Sequence, residues 1–188
     1  MSQSLLLQLA RQSIQEVLEA ERFIDKASLI DEYPILSQPV AVGITIYLGQ
    51  KIRAHFCTLE ADRPLIDAII YNAKVAAFEL PQYPPLSTSE YLHVSIELSL
   101  LSPLQRLEAP SFEALYERIT PERDGIVIKH DNKSAYFMPE NWDQERQVAT
   151  IINRLHDALH VSPNMNNPAI ELYTFQTEKA KDTPIVSH

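Results

Sequence analysis

The chain has 188 residues, 45% of them apolar and 22% charged, which is enough to build one domain with a sizeable core. Its formal net charge of −9 argues against nucleic-acid binding, because phosphate recognition draws on clustered Lys and Arg and the 16 basic residues here are scattered. There is no run of eighteen apolar residues to cross a membrane, one cysteine allows neither an internal disulfide nor a Cys₄ zinc site, and three glycines cannot make a Gly-rich phosphate loop.

Leu5, Leu6, Leu9, Ile14, Val17 and Leu18 recur at helical spacing and predict an amphipathic N-terminal helix, with Ser2 or Ser4 as its cap. The leading residues lack a basic n-region and a long apolar h-region, so a cytoplasmic protein is expected. Pro34 and Pro39 break a mixed connection. Val40 to Leu48 is β-branched and partly alternating, and Gly49-Gln50 turns it into the Arg53 segment, which predicts a hairpin. Residues 64–78 read as a helix, with Asp62 as the N-cap and Pro64 in the first turn. Gln82-Tyr83-Pro84-Pro85 is a stiff, extended turn.

Tyr91 to Leu101 alternates cleanly and reads as a half-buried strand, with His93, Ser95, Glu97 and Ser99 on one side. Ser111 to Ile119 is a short helix, and residues 126–128 and 135–138 flank a turn at His130-Asp131-Asn132-Lys133. A further amphipathic helix spans 142–160, and Ile170 to Phe175 is a last strand. The polar stretch from Thr177 onward reads as a mobile tail. Strands arrive as hairpins between helices, not in strict βαβ order, so the class is α+β, with mixed or antiparallel sheets and packed helices.

The chemistry-bearing stretch is Lys51 to Glu60. If it is extended throughout, Arg53, His55 and Cys57 share one side and could form a reactive edge, with His55 or Arg53 lowering the thiol pKa of a nucleophilic Cys57. The plain alternative for Cys57 is a small buried apolar residue. Arg53 could clamp a carboxylate or phosphate, or it could be a structural ion pair with Glu60 or Glu97. Tyr83, beside Pro84-Pro85, either lines a groove or packs the turn. His156 and His160 stand four apart on a predicted helix, but no third ligand accompanies them, so two surface histidines is the better reading and no metal is expected.

Blocks along most of the chain, from about residue 5 to 178, are similar in order and spacing to the AMMECR-type domain family. Leu5-Leu6-Leu7-Gln8-Leu9-Ala10-Arg11 resembles its N-terminal helix motif, and Ile52-Arg53-Ala54-His55-Phe56-Cys57 its Leu-Arg-Gly-Cys-Ile-Gly hallmark. Asn72-Ala73-Lys74-Val75-Ala76-Ala77-Phe78 and Leu80-Pro81-Gln82-Tyr83-Pro84-Pro85-Leu86 resemble its next two blocks. Ile96 to Pro103 and Asp124-Gly125-Ile126 through Phe137-Met138-Pro139-Glu140 resemble the last two.

The resemblance implies an α+β fold of two interlocked halves, in a single domain over 1–178 followed by a polar tail at 179–188. It implies an association with a Memo-type protein or a radical-SAM enzyme and no securely assigned reaction; no cofactor is expected. It also marks departures. The hallmark glycines are replaced by Ala54 and Cys57, His55 stands at the cysteine position, and Cys57 lies two residues on, about 6–7 Å along a strand.

The expected role is a weakly catalytic or non-catalytic binder of a small anionic ligand or a protein, with Arg53, Glu60 and Tyr83 as the binding set. The alternative is an enzyme acting on a small anionic or acyl substrate through Arg53 with Cys57 or His55.

Overall fold

A computed structural model describes residues 3–164 and 166–186. The chain divides into two compact units: residues 1–101 with 178–188, and residues 102–177. The first unit is therefore discontinuous in sequence, with the C-terminal segment returning to it.

The first unit opens with α1 (Gln3–Glu19), α2 (Lys26–Glu32) and a 3₁₀ turn (Pro34–Ser37). The expected cap Ser2 lies outside the described residues, and Ser4 lies inside α1. Within the connection expected before Pro34, α2 forms because Asp25 accepts the Ser28 N–H as its N-cap.

A four-stranded sheet follows in the order β2-β1-β3-β8, from β1 (Ala41–Leu48), β2 (Lys51–Cys57), β3 (Val94–Leu101) and β8 (Thr177–Lys181). Gly49, at a φ of 63°, makes the tight β1–β2 turn. β1 pairs antiparallel with both β2 and β3.

Between the strands, α3 (Leu65–Lys74) runs into a π-turn (Val75–Glu79). Asp62 does not cap α3; Pro64 holds the N-cap position and the Leu65 N–H donates to the Gln38 carbonyl instead. α4 (Thr88–His93) precedes β3, closed at its start by a capping box between Ser87 and Glu90. Residues 91–93 are thus helical, and the strand begins only at Val94.

One face of this sheet is apolar and carries Val42, Ile44, Ile46, Ala54, Ile96 and Leu98. Those side chains belong to one core with Leu6, Leu9, Ala10 and Ile14 of α1 and Ile66, Ile69 and Ala73 of α3. Full burial of each Leu or Ile contributes roughly 1.5–3 kcal/mol, so this two-helix layer is what fixes the sheet.

The described part of the expected tail is integral to the unit, while Ser187 and His188 lie outside the described residues. Residues 177–181 form β8 beside β3, and Asp182 beyond it accepts the Ile96 N–H at 2.7 Å. Asp182 also takes a bidentate pair from Arg11, at 2.6 and 2.9 Å. The polar composition that suggested a tail suits an added strand held by its backbone.

The second unit has the sheet order β4-β7-β5-β6, from β4 (Gln105–Arg106), β5 (Gly125–His130), β6 (Lys133–Phe137) and β7 (Ile170–Phe175), all in antiparallel pairs. The β5–β6 turn needs only Asp131 and Asn132, with Asp131 at a φ of 52°. Helices α5 (Phe112–Tyr116) and α6 (Val148–Leu159) complete the unit.

The predicted 142–160 helix starts later than expected, because residues 139–143 form a 3₁₀ turn that buries Trp142. The Trp142 indole N–H donates to the Asp124 carbonyl at 2.8 Å, and its ring meets Phe137 edge-on. Ile151, Ile152, Leu155 and Leu159 of α6 close the core over Ile126, Ile128 and Leu172. Gly125 is required where it stands: a Cβ there would collide with the buried ring of its cross-strand partner Phe175.

Candidate functional site: the β2 segment

The alternation of β2 is broken at the residue that matters most. Tyr47 faces Ile52 and Ile46 faces Ala54, so Arg53 is the extra residue of a β-bulge. His55 and Cys57 continue the regular ladder opposite Thr45 and Gly43. The alternation expected from Arg53 through Cys57 is therefore interrupted at Arg53, whose partners differ from those of His55 and Cys57.

The Arg53 Nε donates to Glu90 Oε1 at 2.8 Å, and one terminal nitrogen donates to the Pro84 carbonyl at 2.9 Å. Its guanidinium carbon lies 5.8 Å from the centre of the Tyr83 ring. The Arg53 side chain is only 13% exposed. Glu90 is oriented in turn by the capping box, accepting from the Ser87 N–H at 3.1 Å. The Arg53 hydrogen bond holds the Glu90 carboxyl below the usual carboxylate range, against the opposing effect of burial.

The arginine thus ties the bulge of β2 to the start of α4 and to the Pro84 turn. Its carboxylate partner is Glu90 rather than Glu60 or Glu97. Glu60 is exposed beyond the end of β2, while Glu97 pairs with Lys179 at 3.4 Å and accepts from the Tyr47 hydroxyl at 3.4 Å.

His55 and Cys57 belong to the polar face of the sheet, with Thr45, Tyr47, Ser95, Glu97 and Ser99 in register beside them. His55 Nδ1 shares a 2.9 Å hydrogen bond with the Thr45 hydroxyl, and Thr45 is buried. The Cys57 thiol donates to the Thr58 carbonyl at 3.7 Å, and its sulfur would stand 3.5 Å from a Cβ added at Gly43.

Just beyond Cys57, the buried Asn72 of α3 donates to the Val42 carbonyl at 2.6 Å and to the Thr58 hydroxyl at 3.1 Å, stapling helix to strand end. Two residues of this constellation, Glu90 and Asn72, had not been singled out as site members. Ser87-x-x-Glu90 is a readable capping box, but nothing in the sequence ties it to Arg53.

The two histidines of α6 do not form a pair. His156 is 2% exposed with Nδ1 on the Ile152 carbonyl at 2.8 Å, and His160 ends the helix in the left-handed region at a φ of 57°. Among the described residues, no group of three or more His, Cys, Asp or Glu could hold a metal ion. Among the same residues, no helix is long and apolar enough to cross a membrane.

This architecture is an α+β fold also seen in the crystal structure of protein PH0010 from Pyrococcus horikoshii. The two superpose with a TM-score of 0.83 over 96% of this chain and 91% of that one, at 22% identity. At the sequence level the chain belongs to the AMMECR1 family, which it matches over residues 7–180. It is 28% identical to a protein of Methanococcus aeolicus over 156 residues, covering 79% of this chain and 77% of that one. It is 29% identical to a protein of Thermofilum pendens over 157 residues, covering 76% and 73%.

Proposed function

We propose that this member of the AMMECR1 family acts by binding and performs no covalent chemistry at residues 53–57. One observation supports this above the others: the hallmark arginine is committed to the Glu90 carboxylate and the Pro84 carbonyl. An anionic substrate would have to displace Glu90 and unlatch α4 from β2. The contact of the Cys57 thiol with the Thr58 carbonyl and the tie between His55 and Thr45 support the same reading.

The partner class in keeping with the family resemblance is a Memo-type protein or a radical-SAM enzyme. The setting proposed for it is the cytoplasm, where a lone free cysteine stays reduced.

The test is affinity purification of the tagged chain from its native cell, with mass spectrometry of whatever co-elutes, run in parallel on Cys57→Ser and Arg53→Lys. Recovery of the same partner by all three supports binding without catalysis. A small acyl or anionic compound that the wild type converts and Cys57→Ser does not would establish the enzyme reading instead.

A further inference from the structure

The second unit contains a cavity of about 240 Å³ that the reading of Arg53 and Cys57 leaves unused. Its inner lining includes Leu107, Phe112, Leu115, Ile170 and Leu172 with the buried imidazole of His156, and polar residues, Asn164 and Asn167 among them, line the rest. That imidazole is 2% exposed overall, and its Nδ1 is turned back on the Ile152 carbonyl of its own helix at 2.8 Å. A carbonyl only accepts, so Nδ1 carries the proton in the neutral ring and Nε2, on the opposite edge, is an acceptor.

The cavity is also lined by Arg106, Glu108 and Glu171, two carboxylates to one guanidinium. Arg106 lies 3.3 Å from Glu108 and 3.0 Å from Glu171, whose second oxygen accepts from the Tyr173 hydroxyl at 3.0 Å. These charges satisfy one another and leave no surplus cation to draw in an anion. Cavities of about 150 Å³ lined by Leu, Ile and Phe take up benzene, so this one has room for a substituted or bicyclic ring.

We propose that this cavity is a binding site for a small, uncharged aromatic molecule bearing one hydrogen-bond donor, of the phenol or indole type. The ring lies among Leu107, Phe112, Ile170 and Leu172, and its donor reaches His156 Nε2. The site is built wholly from residues 106–172 and stands or falls apart from the binding role proposed for the first unit.

The test titrates phenol, indole and toluene into the full-length chain and follows backbone amide resonances by NMR. The expected result is saturable shifts at Leu107, Phe112, His156 and Ile170, with phenol binding about three- to tenfold more tightly than toluene, the gain of one net hydrogen bond. His156→Leu should remove that preference while leaving toluene affinity within about twofold. Ala109→Phe, which fills the cavity from its wall, should abolish binding of all three with the far-UV circular dichroism unchanged.

Unmoved resonances up to the solubility limit of phenol and indole would overturn the proposal. So would equal affinities for phenol and toluene on the wild type, a result that does not depend on how either variant folds.

Discussion

The clearest energetic prediction concerns the C-terminal segment and the arginine of the N-terminal motif. Asp182 accepts three hydrogen bonds: Arg11 Nε at 2.6 Å, an Arg11 terminal nitrogen at 2.9 Å and the Ile96 N–H at 2.7 Å. The paired side chains are only 14% and 19% exposed. Arg11 also donates to the Val94 carbonyl at 3.0 Å and lies over the Tyr91 ring. Net hydrogen bonds to charged groups contribute about 1.5–3 kcal/mol each and do not add fully, while stripping one partner from a buried pair costs about 3–5 kcal/mol.

For this partly exposed pair, Asp182→Ala should cost about 3 kcal/mol. At about 2–4 °C per kcal/mol for a chain of this length, that lowers Tm by about 6–12 °C. Calorimetry gives the loss, and hydrogen exchange should show the amides of 94–96 and 178–186 losing protection first. A double-mutant cycle with Arg11→Met should return a coupling of about 2 kcal/mol or more. If Asp182→Ala lies within about 0.5 kcal/mol of wild type, or the C-terminal amides exchange unchanged, the clamp does not hold this strand.

Three further outcomes follow from the same geometry. Gly125→Ala drives a methyl into the buried ring of Phe175 and should cost about 1–3 kcal/mol in urea unfolding followed by Trp142 fluorescence, whereas Gly43→Ala should be nearly neutral. Arg53→Lys loses the fork that joins Glu90 to Pro84, so it should cost about 1–2 kcal/mol and speed exchange in residues 80–90 without unfolding the unit.

Burial works to raise the Asp124 carboxyl, but the hydrogen bonds from Arg123 and the Thr120 N–H outweigh it and hold the group below the ordinary range. A depressed carboxyl stabilises the fold above its unfolded value of about 3.9 and loses that contribution as pH falls through the folded value. Asp124→Asn should therefore be destabilised at pH 7 and converge on wild type towards about pH 2, with a constant gap across that range refuting the assignment.

How much of this was legible in the sequence depends on what carried each feature. The β1–β2 hairpin, α3 and β7 were readable because burial imposes a period on their side chains. α4 was hidden because 91–101 alternates without a break, and alternation fixes a face but not where a strand begins; the Ser87–Glu90 box marks the boundary. β8 was missed because its place depends on the β3 backbone and on Arg11, 171 residues away from Asp182.

The bulge at Arg53 has no glycine or proline to announce it, so strict alternation does not foresee the break in register there. His156 looked like a surface residue because helical spacing beside His160 says nothing of the cavity it lines.

The claim on which the account turns is that residues 53–57 hold the fold together and do not attack a substrate. The pH dependence of Cys57 alkylation by iodoacetamide in the folded chain tests it most directly, with the urea-unfolded chain as the reference for access. The account predicts a rate that does not exceed that of the unfolded chain at any pH and is unchanged in His55→Ala and Arg53→Lys. A rate already at its plateau by about pH 7, and lost in His55→Ala or Arg53→Lys, would make Cys57 an activated nucleophile and contradict the account.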